Sequence, residues 1–215
     1  MFSKKIQIDF QAVGNGSACC VIDNVLADPD ALVQFAARAR AAFKPAQPDG
    51  DPGLELLMAN AFTEKVNDFF RRNIRALFDA RRTLDMRTKL AISTRAETPE
   101  NAAQRVPHRF GTQLPPTQCF AKAELYLFHD ESLGGTGFYR PKPAAVSATP
   151  DSFELMSVLP PRYNRMVFFD ATLLHAAQLP PPEKLSTDPT NARLTLDGYF
   201  ACRRNASPNA NRLTR

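Results

Sequence analysis

With 215 residues, 44% hydrophobic side chains and 16 phenylalanines, the chain has enough apolar surface to offset its conformational entropy, which excludes a disordered protein. Nothing in its middle reads as a linker, so a single domain spanning 1–215 is expected. The net charge of +5 comes from scattered lysines and arginines, apart from Arg71/Arg72, Arg81/Arg82 and Arg203/Arg204, a pattern that fits solvated faces and disfavours a nucleic-acid interface.

The opening residues, 1–10, hold no apolar run of signal-peptide length, and no apolar stretch of about 18 residues occurs anywhere. A soluble cytoplasmic protein is expected. The four cysteines, Cys19, Cys20, Cys119 and Cys202, lack Cys-x-x-Cys spacing, so reduced buried thiols are expected rather than a zinc knuckle or a disulfide framework.

A short alternating segment over 6–10 and a second, apolar one over 19–22 come first, and Asp28-Pro29 then opens a helix. Asp28 can accept a free amide at the helix start, and Pro29 lacks the amide that would otherwise go unpaired. A Pro-, Gly- and Asp-rich loop follows over 45–53. Phe62, Val66, Phe69, Phe70, Ile74, Leu77 and Phe78 recur at helical spacing, predicting an amphipathic helix over about 60–80 with Thr63 as its cap.

From Leu84 the period changes to two, with Leu84, Met86, Leu90 and Ile92 on one face. Further strands are predicted over 120–128, 137–140, 153–159, 166–170 and 193–203, separated by Pro-rich connections over 141–150, 159–161 and 180–189. Helices first and strands afterwards is an α+β order. Short strands split by long loops suggest a double-stranded β-helix, or jelly roll, with N-terminal packing helices. In this reading 1–83 is mainly helical support, 84–203 the β core and 204–215 a basic tail.

The chain has three histidines, His108, His129 and His175. Arg193 and Thr195 lie two apart in a predicted strand, so they share a face and can address one carboxylate together, the arginine as a charged fork and the threonine as a hydroxyl donor. A bland reading stands beside this one: Gly134-Gly135 as a hairpin turn, and Arg193 bridging to Asp197 or covering an apolar face.

Pro107-His108, then 123–128 (Ala-Glu-Leu-Tyr-Leu-Phe), Gly134-Gly135-Thr136, 164–170 (Asn-Arg-Met-Val-Phe-Phe-Asp), His175 and Arg193-Leu194-Thr195 follow one another in an order that resembles the Fe(II)/2-oxoglutarate-dependent prolyl hydroxylases. The resemblance covers roughly residues 84–203. The run 134–140 (Gly-Gly-Thr-Gly-Phe-Tyr-Arg), with Arg162-Tyr163-Asn164-Arg165, is similar to an uncharacterised bacterial family related to those oxygenases. It implies the jelly-roll fold more firmly than the activity.

Carried across, the resemblance makes His108 and His175 ligands to Fe(II), and Arg193 the anchor for the far carboxylate of 2-oxoglutarate, assisted by Thr195 and Tyr126. The implied function is a dioxygenase of the hydroxylase kind, acting on a small-molecule or protein substrate that the sequence does not name. The third ligand position is Phe110, where the family carries an aspartate, and phenylalanine has no lone pair to give a metal. Its benzyl group would also fill the space a halide uses in related halogenases. Alternative acids are Asp130 or Glu131 beside His129, and Asp170 before His175. If none serves, the chain is a degenerate oxygenase-like binding module. A third expectation, a basic surface using Arg203, Arg204, Arg212 and Arg215 to hold an acidic partner, rests on the tail.

Overall fold

The computed structural model of the chain describes residues 1–14, 16–46, 53–94, 106–111, 113–143 and 150–205. Its strands are β1 (Asp9–Gly14), β2 (Ser17–Ile22), β3 (Lys44–Pro45), β4 (Gly53–Leu57), β5 (Ala80–Ser93), β6 (Gln118–Tyr126), β7 (Thr136–Pro141), β8 (Phe153–Leu159), β9 (Met166–Asp170), β10 (His175–Ala177) and β11 (Leu194–Arg204). Two helices, α1 (Asp30–Arg38) and α2 (Asn60–Asn73), precede the long strands. The strands form a large antiparallel sheet in the order β1-β2-β9-β6-β11-β5-β4-β3 and a small one in the order β10-β7-β8, giving the expected α+β jelly roll.

The large sheet buries both faces. On its outer face Leu90, Ile92, Leu125, Leu194, Leu196 and Phe200 meet the apolar stripe of α2, where Phe70 stacks on Phe200 with ring centroids 4.0 Å apart. On its inner face Phe169 of β9 meets Phe138 of β7, edge to face at 5.2 Å, which seats the small sheet. Successive residues on β6 and β11 therefore belong alternately to an apolar layer and to the barrel interior.

Several expectations need correction. Helix α2 stops at Asn73 and gives way to a tight 3-10 turn over Arg75–Phe78, ended by Asp79 with φ 53°, so the helical spacing of 60–80 is two elements. Thr63 is no cap: it lies within the helix, buried, with its hydroxyl 2.7 Å from that of Thr88 on β5. Leu84 leaves the apolar face because the register of β5 against β11 slips there, Thr83 pairing Cys202 and Asp85 pairing Ala201. The loop expected over 45–53 ends in a hairpin of β3 with β4, its residues 47–52 lying outside the described ones. The helix start is as read: the Asp28 carboxylate accepts the Ala31 amide at 3.0 Å.

The segment Arg162-Tyr163-Asn164-Arg165 ties the N-terminal region to the barrel. Asn164, at φ 62°, bonds both the amide and the carbonyl of Leu26 at 2.9 Å, and Arg162 and Arg165 both grip Asp23. Their hydrogen bonds and charge hold the Asp23 carboxyl below its ordinary range. Tyr163 donates its hydroxyl to Asp30.

Candidate functional site

Strand β9 ends in a turn in which Asp170 accepts the Thr172 amide at 2.9 Å and its hydroxyl at 2.7 Å, and the chain re-enters the barrel as β10 at His175. His108 joins it there through two backbone hydrogen bonds, His108 N–H to the His175 carbonyl at 3.0 Å and the reverse at 2.9 Å. Phe110 N–H then donates to Ala171 O at 2.8 Å. The two imidazoles come together with centroids 4.8 Å apart, as the sequence order implied. The Phe110 ring sits against both, 5.1 Å from His108 and 5.9 Å from His175, and it also meets Tyr199 at 5.4 Å.

His175 is fully buried, and its two ring nitrogens are both engaged. Nδ1 lies 2.8 Å from the Leu173 carbonyl, which only a protonated nitrogen can satisfy, so Nε2 carries the lone pair. Lys122 Nζ stands 3.3 Å from that Nε2 and donates to it. Burial, then the charge of Lys122, then His108, hold the His175 pKa well below its ordinary value, so the ring is neutral. Lys122 is 2% exposed, and its ammonium also lies 5.9 Å from the ring centres of Phe169 and Tyr199, within reach of their π faces.

Two positions further along β6, on the same face, Glu124 meets Arg193. The guanidinium Nη2 donates to Glu124 Oε1 at 2.9 Å, and the group also bonds the Gly134 carbonyl at 3.0 Å, the Gly135 carbonyl at 3.2 Å and Ser93 Oγ at 3.3 Å. Gly134 must be glycine here: its φ is +84°, and a Cβ would lie 1.6 Å from the Gln178 carbonyl. The Gly-Gly turn is thus also the lid that wraps Arg193.

The other carboxylate oxygen of Glu124 accepts the Thr136 hydroxyl at 2.7 Å, which leaves the Tyr126 hydroxyl, 2.8 Å from Thr136 Oγ1, as donor to it. Burial, then the Glu124 charge, push the Tyr126 phenol up, keeping it protonated. Both Tyr126 and Thr195 lie on the interior face, and both are buried. Beyond them, on β5 and β4, Lys89 pairs with Glu55 at 2.5 Å.

A metal ion held by His175 would need the Nε2 lone pair, and Lys122 already uses it. Phe110, at the position to which the resemblance assigns a carboxylate ligand, packs its ring against both imidazoles and offers no lone pair. No group of three or more His, Cys, Asp or Glu with metal-binding geometry occurs among the described residues. A co-substrate carboxylate would need Arg193, whose fork is taken by Glu124. The space beside Arg193, Thr195 and Asp197 is about 20 Å³. That holds roughly one water, which needs about 10–15 Å³, and not a dicarboxylic acid of the size of 2-oxoglutarate. The residues present therefore do not fit Fe(II) and 2-oxoglutarate in this arrangement.

The alternative acids do not converge on the histidines. His129 is exposed and stacks on Tyr163 at 3.8 Å, Asp130 accepts the Ser132 amide at 2.9 Å in its own turn, Glu131 is exposed, and Asp170 serves its own turn. Arg193 bonds Glu124 at 2.9 Å, a partner not considered from sequence. Of the basic tail, Arg212 and Arg215 lie outside the described residues.

Sequence reasoning missed Lys122 and Glu124. Their signal was present: residues 122, 124 and 126 form one face of a strand predicted to be buried, so two charges were due to enter the interior together.

Among solved structures the chain is similar to a Pseudomonas putida prolyl-4-hydroxylase, with 15% identity over 87% of this chain and 93% of that one and a TM-score of 0.51. It is similar to SnoK, a non-heme alpha-ketoglutarate-dependent carbocyclase from nogalamycin biosynthesis, with 13% identity, 88% and 83% coverage and a TM-score of 0.53. For AviO1 from Streptomyces viridochromogenes the identity is 13%, the coverage 93% and 99%, and the TM-score 0.50. At these identities the likeness is one of fold, and the fold is the oxygenase-like double-stranded β-helix. No curated protein matches the chain in sequence. A family of unknown function, DUF6445, matches residues 4–150 and 145–200, and the chain belongs to it.

Proposed function

We propose that this chain is a catalytically degenerate oxygenase-fold protein, a binding module whose interior is closed by its own side chains. The observation that carries the reading is the pair of substitutions on one strand face. The Lys122 ammonium rests on His175 Nε2, where a metal would bind, and the Glu124 carboxylate rests on Arg193, where a co-substrate carboxylate would bind. Phe110 completes the replacement. A cation and an anion of the chain thus take the places of a cation and an anion that related barrels take from solution.

The fold and the facing histidines favour a second reading, an Fe(II)/2-oxoglutarate-dependent hydroxylase acting on a substrate outside the barrel. It requires Lys122 to leave His175 and Glu124 to release Arg193, opening the interior by much more than its present cavity.

A thermal-shift titration with Mn(II), with and without 2-oxoglutarate, separates the two. A ligand that binds only the folded state raises the melting temperature with the logarithm of its saturation. The degenerate module shows no shift with either component or both. A rise that needs both components together would overturn it and restore the hydroxylase.

A further inference from the structure

The four cysteines divide into two pairs with different surroundings. Cys19 and Cys20 are adjacent on β2, so their side chains leave on opposite faces of the sheet, one into each apolar cluster. They cannot meet. Cys119 on β6 and Cys202 on β11 are directly opposed across the ladder, and their thiols share a hydrogen bond. Two residues on, Arg204 donates its amide to Thr117 at 2.8 Å, which puts the cysteines in the hydrogen-bonded phase of the antiparallel ladder. Opposed Cα atoms there are about 5.5 Å apart, inside the roughly 4.4–6.8 Å that a disulfide spans.

Cys202 is 0% exposed and Cys119 is 4% exposed, and Cys119 forms part of the wall of a surface cleft of about 500 Å³. Arg109 and Arg204 line that cleft, with Leu114 and Thr172. The Cys119 thiol donates to the Phe78 carbonyl at 3.7 Å. We infer that Cys119 and Cys202 are a thiol redox site, in which a hydroperoxide entering the arginine-lined cleft oxidises Cys119 and Cys202 resolves it as a cross-strand disulfide.

The Cys119 sulfur attacks one peroxide oxygen, the O–O bond breaks, and water or an alcohol leaves, giving a sulfenic acid. The Cys202 sulfur then attacks that sulfur, the S–O bond breaks, and a second water leaves with the Cys202 proton. The peroxide gains two electrons and the two thiols lose them. The hydrogen bond from Cys202 and the Arg204 charge both favour a Cys119 thiolate, whereas the same hydrogen bond, and then burial, hold Cys202 as the thiol. Cys20, by contrast, is pushed up to about 12, chiefly by burial.

The test treats the native full chain with hydrogen peroxide, blocks remaining thiols after unfolding, and maps the digest by mass spectrometry. A peptide linking residues 119 and 202 is expected, reversed by dithiothreitol, with Cys19 and Cys20 recovered as blocked thiols. In Cys202→Ser the sulfenic acid has no resolving partner, so dimedone is expected to label Cys119. Absence of the linked peptide in the wild-type chain, or equal oxidation at all four cysteines, overturns the inference. So does dimedone labelling at Cys19 or Cys20 in place of Cys119.

Discussion

The two faces of β6 and β11 are equally buried and are built on opposite principles. Outward, Ala121, Ala123, Leu125, Leu196 and Phe200 form an apolar layer against α2. Inward, Lys122, Glu124, Thr195 and Asp197 form a polar layer, every one of them less than a tenth exposed. An apolar layer gains from each contact separately, by area removed from water, while a buried charge is tolerated only with its partner in place. The difference is one of coupling: the outer face is a sum of contacts, and the inner face is a set of pairs that stand or fall together.

The largest effect comes from the loss of one partner. Glu124→Ala leaves the Arg193 guanidinium buried without its carboxylate, and about 3–5 kcal/mol of stability is expected to be lost in urea unfolding. Replacing both, as Glu124→Leu with Arg193→Met, is expected to recover most of that loss. Additive losses in the double variant would contradict the pairing. On the outer face Phe70→Ala, removing the ring stacked on Phe200, is expected to cost about 3–5 kcal/mol with no such rescue.

A smaller effect sharpens the inner face. Lys122→Met leaves His175 Nε2 buried without its donor, for an expected loss of about 1–3 kcal/mol. The wild-type His175 has a folded pKa well below the unfolded value of 6.5. Below that value the unfolded chain binds a proton that the folded chain refuses, so stability is full above pH 6.5 and falls as the pH drops from there toward the folded pKa. The slope approaches about 1.4 kcal/mol per pH unit for one proton. Because Lys122 is one cause of the depression, Lys122→Met raises the folded pKa and narrows that window. Unfolding curves recorded across pH check both statements.

The smallest effect belongs to the surface. Arg140 and Glu154 pair at 2.8 Å with side chains 52% and 48% exposed, and Arg140→Ala is expected to leave the urea-unfolding midpoint nearly unchanged, with any small difference vanishing in high salt.

Both helix positions and the strands from β5 onward, β10 excepted, were legible because apolar period changes sharply at the helix-to-strand boundary, whereas β3 and β4 lie where a loop was read and β1 lies three residues beyond the alternation at 6–10. Strands β8 and β9 follow the predicted 153–159 and 166–170. The break after Asn73 was not legible, since the apolar spacing runs on through Phe78 and only the left-handed Asp79 ends it. Strand β10 escaped because its three residues are too few to show a period. The meeting of His108 with His175 followed from motif order. What filled the interior between His175 and Arg193 did not: the resemblance implied roles for these two residues, whereas their partners Lys122 and Glu124 came from a strand whose charges had been given no face.

The most direct test of a self-filled interior is anomalous diffraction from crystals grown with Mn(II) and 2-oxoglutarate. A self-filled interior gives no manganese peak between His108 and His175, with Lys122 Nζ on His175 Nε2 and Glu124 on Arg193. A manganese peak within bonding distance of both imidazoles, with Lys122 turned away, would contradict it.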